Sequence, residues 1–231
     1  MRRLVLFDID GTLLVSAQAG RRALKAAFEA EYEDLEFFDR VRLDGKTDPQ
    51  ILAELHVAAG RPERNTAVSI ERLLASYVTH LEHEITERGH LVRTCPGVPE
   101  LLDALAARDD VVIGLLTGNI VPGARLKLGA AGIGFDRFAV GAFGSDSAHR
   151  PDLPPIAAAR AATLFGRVPH GEEVVIIGDT PADVACGAGI CARALAVATG
   201  GYSFDDLSAT GAYATFATLA DTGAVLNAII A

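Results

Sequence analysis

Two aspartates near the start of the chain, separated by one residue, form a candidate catalytic pair. Asp8 and Asp10 directly follow the apolar run 4–7, which predicts a buried strand with both acids at its carboxyl end. Carboxylates at positions i and i+2 of an extended segment project from one face, and Gly11 allows the chain to turn away sharply. Such a pair suits a hard cation, with one acid available as a nucleophile and the other as a proton donor.

Two later segments repeat this arrangement of a buried strand followed by polar residues. The apolar run 111–116 ends at Thr117, and the run 174–177 leads to Asp179, with Asp183 shortly after it. The segments between these runs have apolar residues at helical spacing. This alternation of strands and helices predicts βαβ units and a mainly parallel sheet. Because parallel strands share one carboxyl edge, where open α/β sheets bind their ligands, we expect these polar groups to meet the aspartate pair there.

The same edge could hold a phosphate beside a metal ion. A hard cation needs several oxygen ligands, which the strand-end carboxylates could supply. The hydroxyl of Thr117 and the backbone N–H groups of Gly118 and Asn119 could bind phosphate oxygens. A helix predicted to start near Ile120 would point the positive end of its dipole at the same place.

Residues 17–93 contain no buried-strand run and predict a helical insert between the first strand and the rest of the sheet. Three segments have helical apolar spacing, at residues 17–32, 48–59 and 64–88. The second of these is expected to begin with Asp48 as its N-cap and Pro49 at the first helical position.

Composition limits the classes of partner. The chain has 231 residues, half of them hydrophobic, and a net charge of −9, which argues against a nucleic-acid backbone as the main partner. Its three cysteines are odd in number and lack framework spacing, so we expect reduced thiols and a cytoplasmic protein. No uncharged run is long and apolar enough for a membrane helix, and no membrane partner is expected.

Three motifs carry a resemblance to a known family: Asp-Ile-Asp-Gly-Thr at 8–12, Leu-Leu-Thr-Gly-Asn at 115–119 and Gly-Asp-Thr-Pro-Ala-Asp at 178–183. In this order and spacing the chain resembles the haloacid dehalogenase superfamily of aspartate-nucleophile phosphohydrolases. It looks most like the phosphoglycolate phosphatase-like branch. The resemblance implies a three-layer α/β/α Rossmann-like core with a parallel sheet, formed by residues 1–16 and 94–231, and an inserted α-helical cap domain at 17–93.

The resemblance also implies a role for each matched residue. Asp8 would attack phosphorus and form an aspartyl-phosphate, while Asp10 would protonate the leaving oxygen and later activate water. Thr117 would hold the transferred phosphoryl group, together with Gly118 and Asn119. Mg²⁺ is the implied cofactor, with four aspartates as its ligands: Asp8, Asp10 through its backbone carbonyl, Asp179, and Asp183 directly or through water.

One element departs from the family pattern, which usually includes a lysine ahead of the third strand. The chain has only three lysines, Lys25, Lys46 and Lys127, and the first two lie in the insert. We interpret Lys127 as a residue on the solvated face of a helix. Arg150 precedes Pro151 at the expected place. Since a guanidinium is always charged and can bridge two anionic oxygens, we predict that Arg150 is the missing cation and a phosphate ligand.

Substrate choice is expected to depend on the insert. Lys46, just ahead of the predicted helix at 48–59, could contact a substrate carboxylate. A lysine near this point is also similar to the cap lysine of phosphonoacetaldehyde hydrolase, which forms a Schiff base. The leading hypothesis is an Mg²⁺-dependent phosphatase that acts on a small phosphorylated substrate such as phosphoglycolate. A phosphonoacetaldehyde hydrolase, a sugar phosphomutase and an inactive scaffold remain as alternatives, and the protein is expected to be a monomer or a homodimer.

Overall fold

Eight strands and ten α-helices build the fold of residues 1–231 in the computed structural model. The strands are β1 (Arg3–Phe7), β2 (Leu14–Val15), β3 (Arg93–Thr94), β4 (Val111–Thr117), β5 (Val140–Phe143), β6 (Val174–Gly178), β7 (Arg193–Val197) and β8 (Ala214–Phe216). The helices are α1 (Ala19–Glu29), α2 (Asp48–Ala58), α3 (Ala67–Arg88), α4 (Val98–Ala106), α5 (Val121–Ala130), α6 (Leu153–Arg160), α7 (Ala162–Phe165), α8 (Pro181–Cys186), α9 (Phe204–Ser208) and α10 (Thr222–Ile230).

Six of the strands form one parallel sheet in the order β5–β4–β1–β6–β7–β8. Every residue of β1 is buried, and its side chains alternate between two apolar layers: Val5 and Phe7 lie in one, Leu4 and Leu6 in the other. Helices cover the sheet, so the predicted Rossmann-like α/β fold is confirmed. Because β1 lies between β4 and β6, the carboxyl ends of these three strands are neighbours.

A short antiparallel pair, β2 with β3, joins the two ends of the helical insert. Leu14 pairs with Thr94 and Val15 with Arg93, so the chain leaves and re-enters the sheet region through adjacent strands. The sequence patterns did not predict this pair, because two-residue strands carry no periodicity.

The insert helices α1, α2 and α3 pack around an apolar cluster of their own. Its fully buried members include Phe28, Phe38, Leu52, Leu55 and Tyr77. This cluster also contains Ile120, at the start of α5, and therefore extends to the sheet region.

The start of α2 differs by one residue from the prediction. Thr47, not Asp48, is the N-cap, and its hydroxyl accepts a hydrogen bond from the N–H of Gln50 at 3.3 Å. Asp48 is the first helical residue, and Pro49 follows it. The Asp48 carboxylate is therefore not used for capping its own helix and is buried against the sheet region.

The helices near the carboxyl end of the chain differ from what their local pattern predicts. The apolar spacing at residues 153–165 and 216–230 predicts one helix in each segment. The structure divides the first into α6 and α7, and in the second Phe216 ends β8 while the helix begins only at Thr222. Pairing of Phe216 with Val197 of β7 outweighs its local helical pattern. No helix in the structure combines the length and apolarity that a membrane span requires.

Candidate active site

Three carboxylates come together at the carboxyl edge of the sheet. Asp8 directly follows β1, Asp179 directly follows β6, and Asp183 lies in α8. Each is buried, and one oxygen of each lies within 4.8 Å of the other two. A Cβ at Gly11 or at Gly200 would overlap the Asp179 carboxylate, so the carboxylate can lie here only because these two positions carry no side chain.

The start of α8 fixes the orientation of Asp183. Thr180 is the N-cap, and its hydroxyl accepts from the Asp183 N–H at 3.2 Å. The Thr180 N–H in turn donates to Asp183 Oδ2 at 3.0 Å. This reciprocal capping box uses one carboxylate oxygen and leaves Oδ1 facing the strand ends.

Arg150 is buried between two of these carboxylates. It lies in a short turn of 3₁₀-helix after β5, and one guanidinium nitrogen donates to Asp8 Oδ1 at 3.0 Å and to Asp183 Oδ1. Its Nε has no hydrogen-bond partner. The structure thus places a permanent cation directly beside Asp8, at the position where the sequence predicted one.

Burial and mutual repulsion raise the pKa values of Asp8 and Asp179. Burial is the main reason that the pKa of Asp8 rises to about 7. The Arg150 guanidinium opposes this rise only in part, and the Asp183 and Asp10 carboxylates add to it. Burial also raises the pKa of Asp179 well above its usual range, and Asp183 and Asp8 add to the effect. The edge therefore has an excess of negative charge that a bound cation would stabilise.

Thr117 and Asn119 form a local hydrogen-bonded unit at the end of β4. The fully buried Thr117 hydroxyl accepts from the backbone N–H of Asn119 at 3.3 Å and from its side-chain amide at 2.8 Å. Gly118 lies against the insert, since a Cβ there would overlap the carbonyl oxygen of Lys46. The strand end and the insert loop are therefore in direct contact.

The N-terminus of α5 differs from the expectation that it would face a phosphate. The N–H of Ile120 donates to Asp48 Oδ2 at 2.8 Å, and the N–H of Val121 donates to the Ser145 hydroxyl at 3.0 Å. Burial raises the pKa of Asp48 to about 6. An acid from the insert thus caps this helix, and its first donors are already used.

Lys127 was interpreted as a solvated residue, and this is wrong. It is buried, and its ammonium donates to Asp10 Oδ2 and to Asn119 Oδ1, each at 2.6 Å. Desolvation works against ionisation of Asp10, but the Lys127 ammonium outweighs it and lowers the pKa of Asp10. One signal could have shown this: Lys127 shares the buried face of α5 with Ala124 and Leu128 at helical spacing.

Lys46 lies in the insert, where its ammonium pairs with the carboxylate of Glu54 on α2. It lines a cavity of about 660 Å³ between the insert and the sheet edge. The core contributes residues such as Asp8, Thr117 and Arg150 to this cavity. Each predicted site residue except Asp183 lines it, and Asp183 is held behind Arg150.

Comparisons with known proteins agree with this architecture. The model of the haloacid dehalogenase-like hydrolase family matches residues 2–190, whereas no curated protein sequence matches the chain. A hydrolase from Pseudomonas syringae is similar in structure, with a TM-score of 0.76, 24% identity and 98% of each chain covered.

Two further solved structures are similar over nearly the whole chain. CbbY from Rhodobacter sphaeroides, in complex with phosphate, has a TM-score of 0.73 and 20% identity, over 96% of this chain and 97% of that one. A predicted phosphoglycolate phosphatase from Haemophilus somnus has a TM-score of 0.69 and 18% identity, over 97% and 98%. At these identities the likeness shows the fold, and the family match shows the membership: the chain belongs to the haloacid dehalogenase-like hydrolase family.

Proposed function

We propose that this hydrolase is an Mg²⁺-dependent phosphatase that cleaves a small phosphomonoester through an aspartyl-phosphate on Asp8. The observation that carries the proposal is the position of Asp8, buried at the sheet edge and open to the cavity, with Arg150 on one side and Asp10 two residues away. Phosphoryl transfer needs mainly positioning and charge neutralisation, and this arrangement offers both.

The donor set fits a magnesium ion. Three carboxylates within 4.8 Å of one another, with glycines where side chains would obstruct Asp179, provide hard oxygen ligands in a small open space. Asp8, Asp179 and Asp183 would hold the ion with the backbone carbonyl of Asp10. When bound, it would neutralise charge on the carboxylates and on the transferred phosphoryl group.

The first step transfers the phosphoryl group to the protein. A carboxylate oxygen of Asp8 attacks phosphorus, and the bond from phosphorus to the ester oxygen breaks. Asp10, whose protonated form is favoured by the negative charge of the bound phosphate ester, gives its proton to that oxygen. The guanidinium of Arg150, already bonded to Asp8, lies beside the phosphoryl oxygens as their charge spreads.

The second step returns the protein to its starting state. Asp10, now ionised, takes a proton from water, and the hydroxide attacks the phosphorus of the aspartyl-phosphate. The bond between phosphorus and Asp8 breaks, which releases inorganic phosphate. The Thr117 hydroxyl and the N–H of Gly118 hold the phosphoryl group through both steps.

We assign the insert, residues 17–93, the role of a cap that excludes water during the reaction. It contacts the sheet edge through the start of α2: the Thr47 hydroxyl donates to the carbonyl of Ala148 at 2.7 Å, and the Asp48 N–H donates to the carbonyl of Gly118 at 2.8 Å. A cap in this position limits the substrate to what the cavity holds.

Phosphate release from a panel of substrates tests the proposal. With 2-phosphoglycolate, ethyl phosphate, glucose 1-phosphate and phosphonoacetaldehyde, we expect Mg²⁺-dependent release from the two small esters. Chelation by EDTA should lower the rate at least about 100-fold, since charge neutralisation is lost, and excess Mg²⁺ should restore it. Acetaldehyde from phosphonoacetaldehyde, or glucose 6-phosphate without phosphate release, would instead support the phosphonatase or the mutase.

Lys46 provides a test of the substrate class. If its ammonium binds a substrate carboxylate, Lys46→Met should raise KM for 2-phosphoglycolate about tenfold, as expected for the loss of a charged hydrogen bond. Ethyl phosphate has a similar size but no carboxylate, so its KM should stay within about twofold. An equal rise for both substrates would show that Lys46 acts on the cap rather than on the carboxylate.

A further inference from the structure

We propose that Lys127 is a positioning residue that holds the Asp10 carboxylate in the place from which it transfers protons. This inference rests on the proposed function, in which Asp10 serves the leaving group and the attacking water. It adds a second cation to the site, distinct in place and in partner from Arg150.

The Asp10 carboxylate is held by three donors from different parts of the chain. Lys127 of α5 donates to Oδ2 at 2.6 Å, and the Asn119 side-chain amide donates to the same oxygen at 2.9 Å. The Ser16 hydroxyl, just after β2, donates to Oδ1 at 3.1 Å. With both oxygens bonded, the carboxylate has one preferred orientation, and the charged donor is the strongest of the three.

Lys127 and Asp10 differ in access to the cavity. The Asp10 side chain is 37% exposed, whereas that of Lys127 is only 6% exposed. The acid can therefore reach a bound ester while the ammonium lies behind it. For this reason Lys127 would act on the reaction through Asp10 and not by contact with the substrate.

The surroundings of Lys127 accommodate a buried ammonium, which is costly without compensating partners. A Cβ at Gly20 of α1 would lie 3.2 Å from Nζ, so the absence of a side chain there leaves room for the ammonium. The same Cβ at Gly20 would lie 3.6 Å from the Tyr77 hydroxyl of α3, so Tyr77 borders this space as well. The insert thus closes over Lys127 and keeps it directed at Asp10.

The two buried cations serve different acids. Arg150 donates to Asp8 and to Asp183, and Lys127 donates to Asp10. No hydrogen bond or ion pair joins Arg150 to Asp10 or Lys127 to Asp8. Loss of Lys127 should therefore impair proton transfer while leaving the nucleophile and its cation in place.

The leaving group distinguishes proton transfer from other defects. Ethyl phosphate releases a strongly basic alkoxide that needs a proton, whereas p-nitrophenyl phosphate releases a stable phenolate that does not. Lys127→Met should lower kcat/KM for ethyl phosphate about 30-fold and for p-nitrophenyl phosphate less than about 3-fold. Lys127→Gln, which keeps a neutral donor and serves if the methionine variant folds poorly, should show the same selectivity with a smaller loss. Lys25→Met, on the exposed face of α1, is the matched control and should match the wild type with both substrates.

A double-mutant cycle with Asp10→Asn completes the test. If Lys127 acts through Asp10, adding Lys127→Met to Asp10→Asn should lower kcat/KM for ethyl phosphate less than about 2-fold further. Equal losses with both esters, an independent loss in the double variant, or wild-type kinetics of both Lys127 variants would overturn the inference. A wild-type protein that releases no phosphate, or an active Asp8→Asn variant, would instead contradict the proposed function itself.

Discussion

Replacement of Asp8 with asparagine is expected to lower kcat for p-nitrophenyl phosphate at least about 10³-fold in the presence of Mg²⁺. The amide has nearly the same size as the carboxylate but cannot attack phosphorus. The activated ester makes the test strict, because its leaving group needs no help from Asp10. Steady-state phosphate release measures the loss, and mass spectrometry of quenched wild-type protein should find the phosphoryl group on the peptide that contains Asp8.

Asp103→Asn is the matched control for this variant. Asp103 lies in α4 with 72% of its side chain exposed and pairs only with Arg137 at the surface, so its loss should leave turnover unchanged. Circular dichroism of both variants checks that a loss of turnover does not result from unfolding. Full activity of Asp8→Asn on p-nitrophenyl phosphate would exclude Asp8 as the nucleophile.

Replacement of Arg150 with methionine is expected to have the next largest effect, in two separate measurements. Turnover should fall about 10²–10³-fold, because the phosphoryl group loses a preorganised cation. The free energy of unfolding should also fall by about 3–5 kcal/mol, since Asp8 and Asp183 would remain buried without the guanidinium that bridges them. Urea unfolding in EDTA measures this second effect without a bound metal.

Two control variants identify which property of Arg150 causes these effects: one keeps the charge but changes the shape of the side chain, and the other removes an exposed arginine instead of a buried one. Arg150→Lys keeps a positive charge but cannot reproduce the planar guanidinium, so intermediate turnover is expected. Arg137→Met removes a surface ion pair and should change the free energy of unfolding by no more than about 1 kcal/mol. Near-normal turnover of Arg150→Met would show that Arg150 is not the cation of the phosphoryl site.

The sheet could be predicted because its strands carry strong local signals. Buried parallel strands require continuous apolar runs. Those at 4–7, 111–116 and 174–177 are each followed within two residues by a polar residue that marks the carboxyl edge. Short or tertiary-dependent elements could not be predicted in this way. The pair β2–β3 and the final strand β8 exist through pairing with distant segments, which local patterns do not encode.

Lys127 shows why a pattern can mislead about a single residue. A lysine between two leucines in a helix is normally solvated, because burial of an ammonium without a partner is unfavourable. Here the partners are supplied by Asp10 and Asn119, which are 117 and 8 residues away in sequence. Asp48 is a similar case, since an acid expected to cap its own helix caps α5 instead.

The type of fold and the candidate catalytic residues follow from the sequence, because apolar runs specify buried strands and the chain direction specifies which strand ends carry the acids. Which charged groups meet depends on the tertiary structure. It put Arg150 between Asp8 and Asp183, and it put a buried lysine behind Asp10. The physical reason is that a buried charge is stable only beside a partner, and partners distant in sequence become neighbours only when the insert and the sheet pack together.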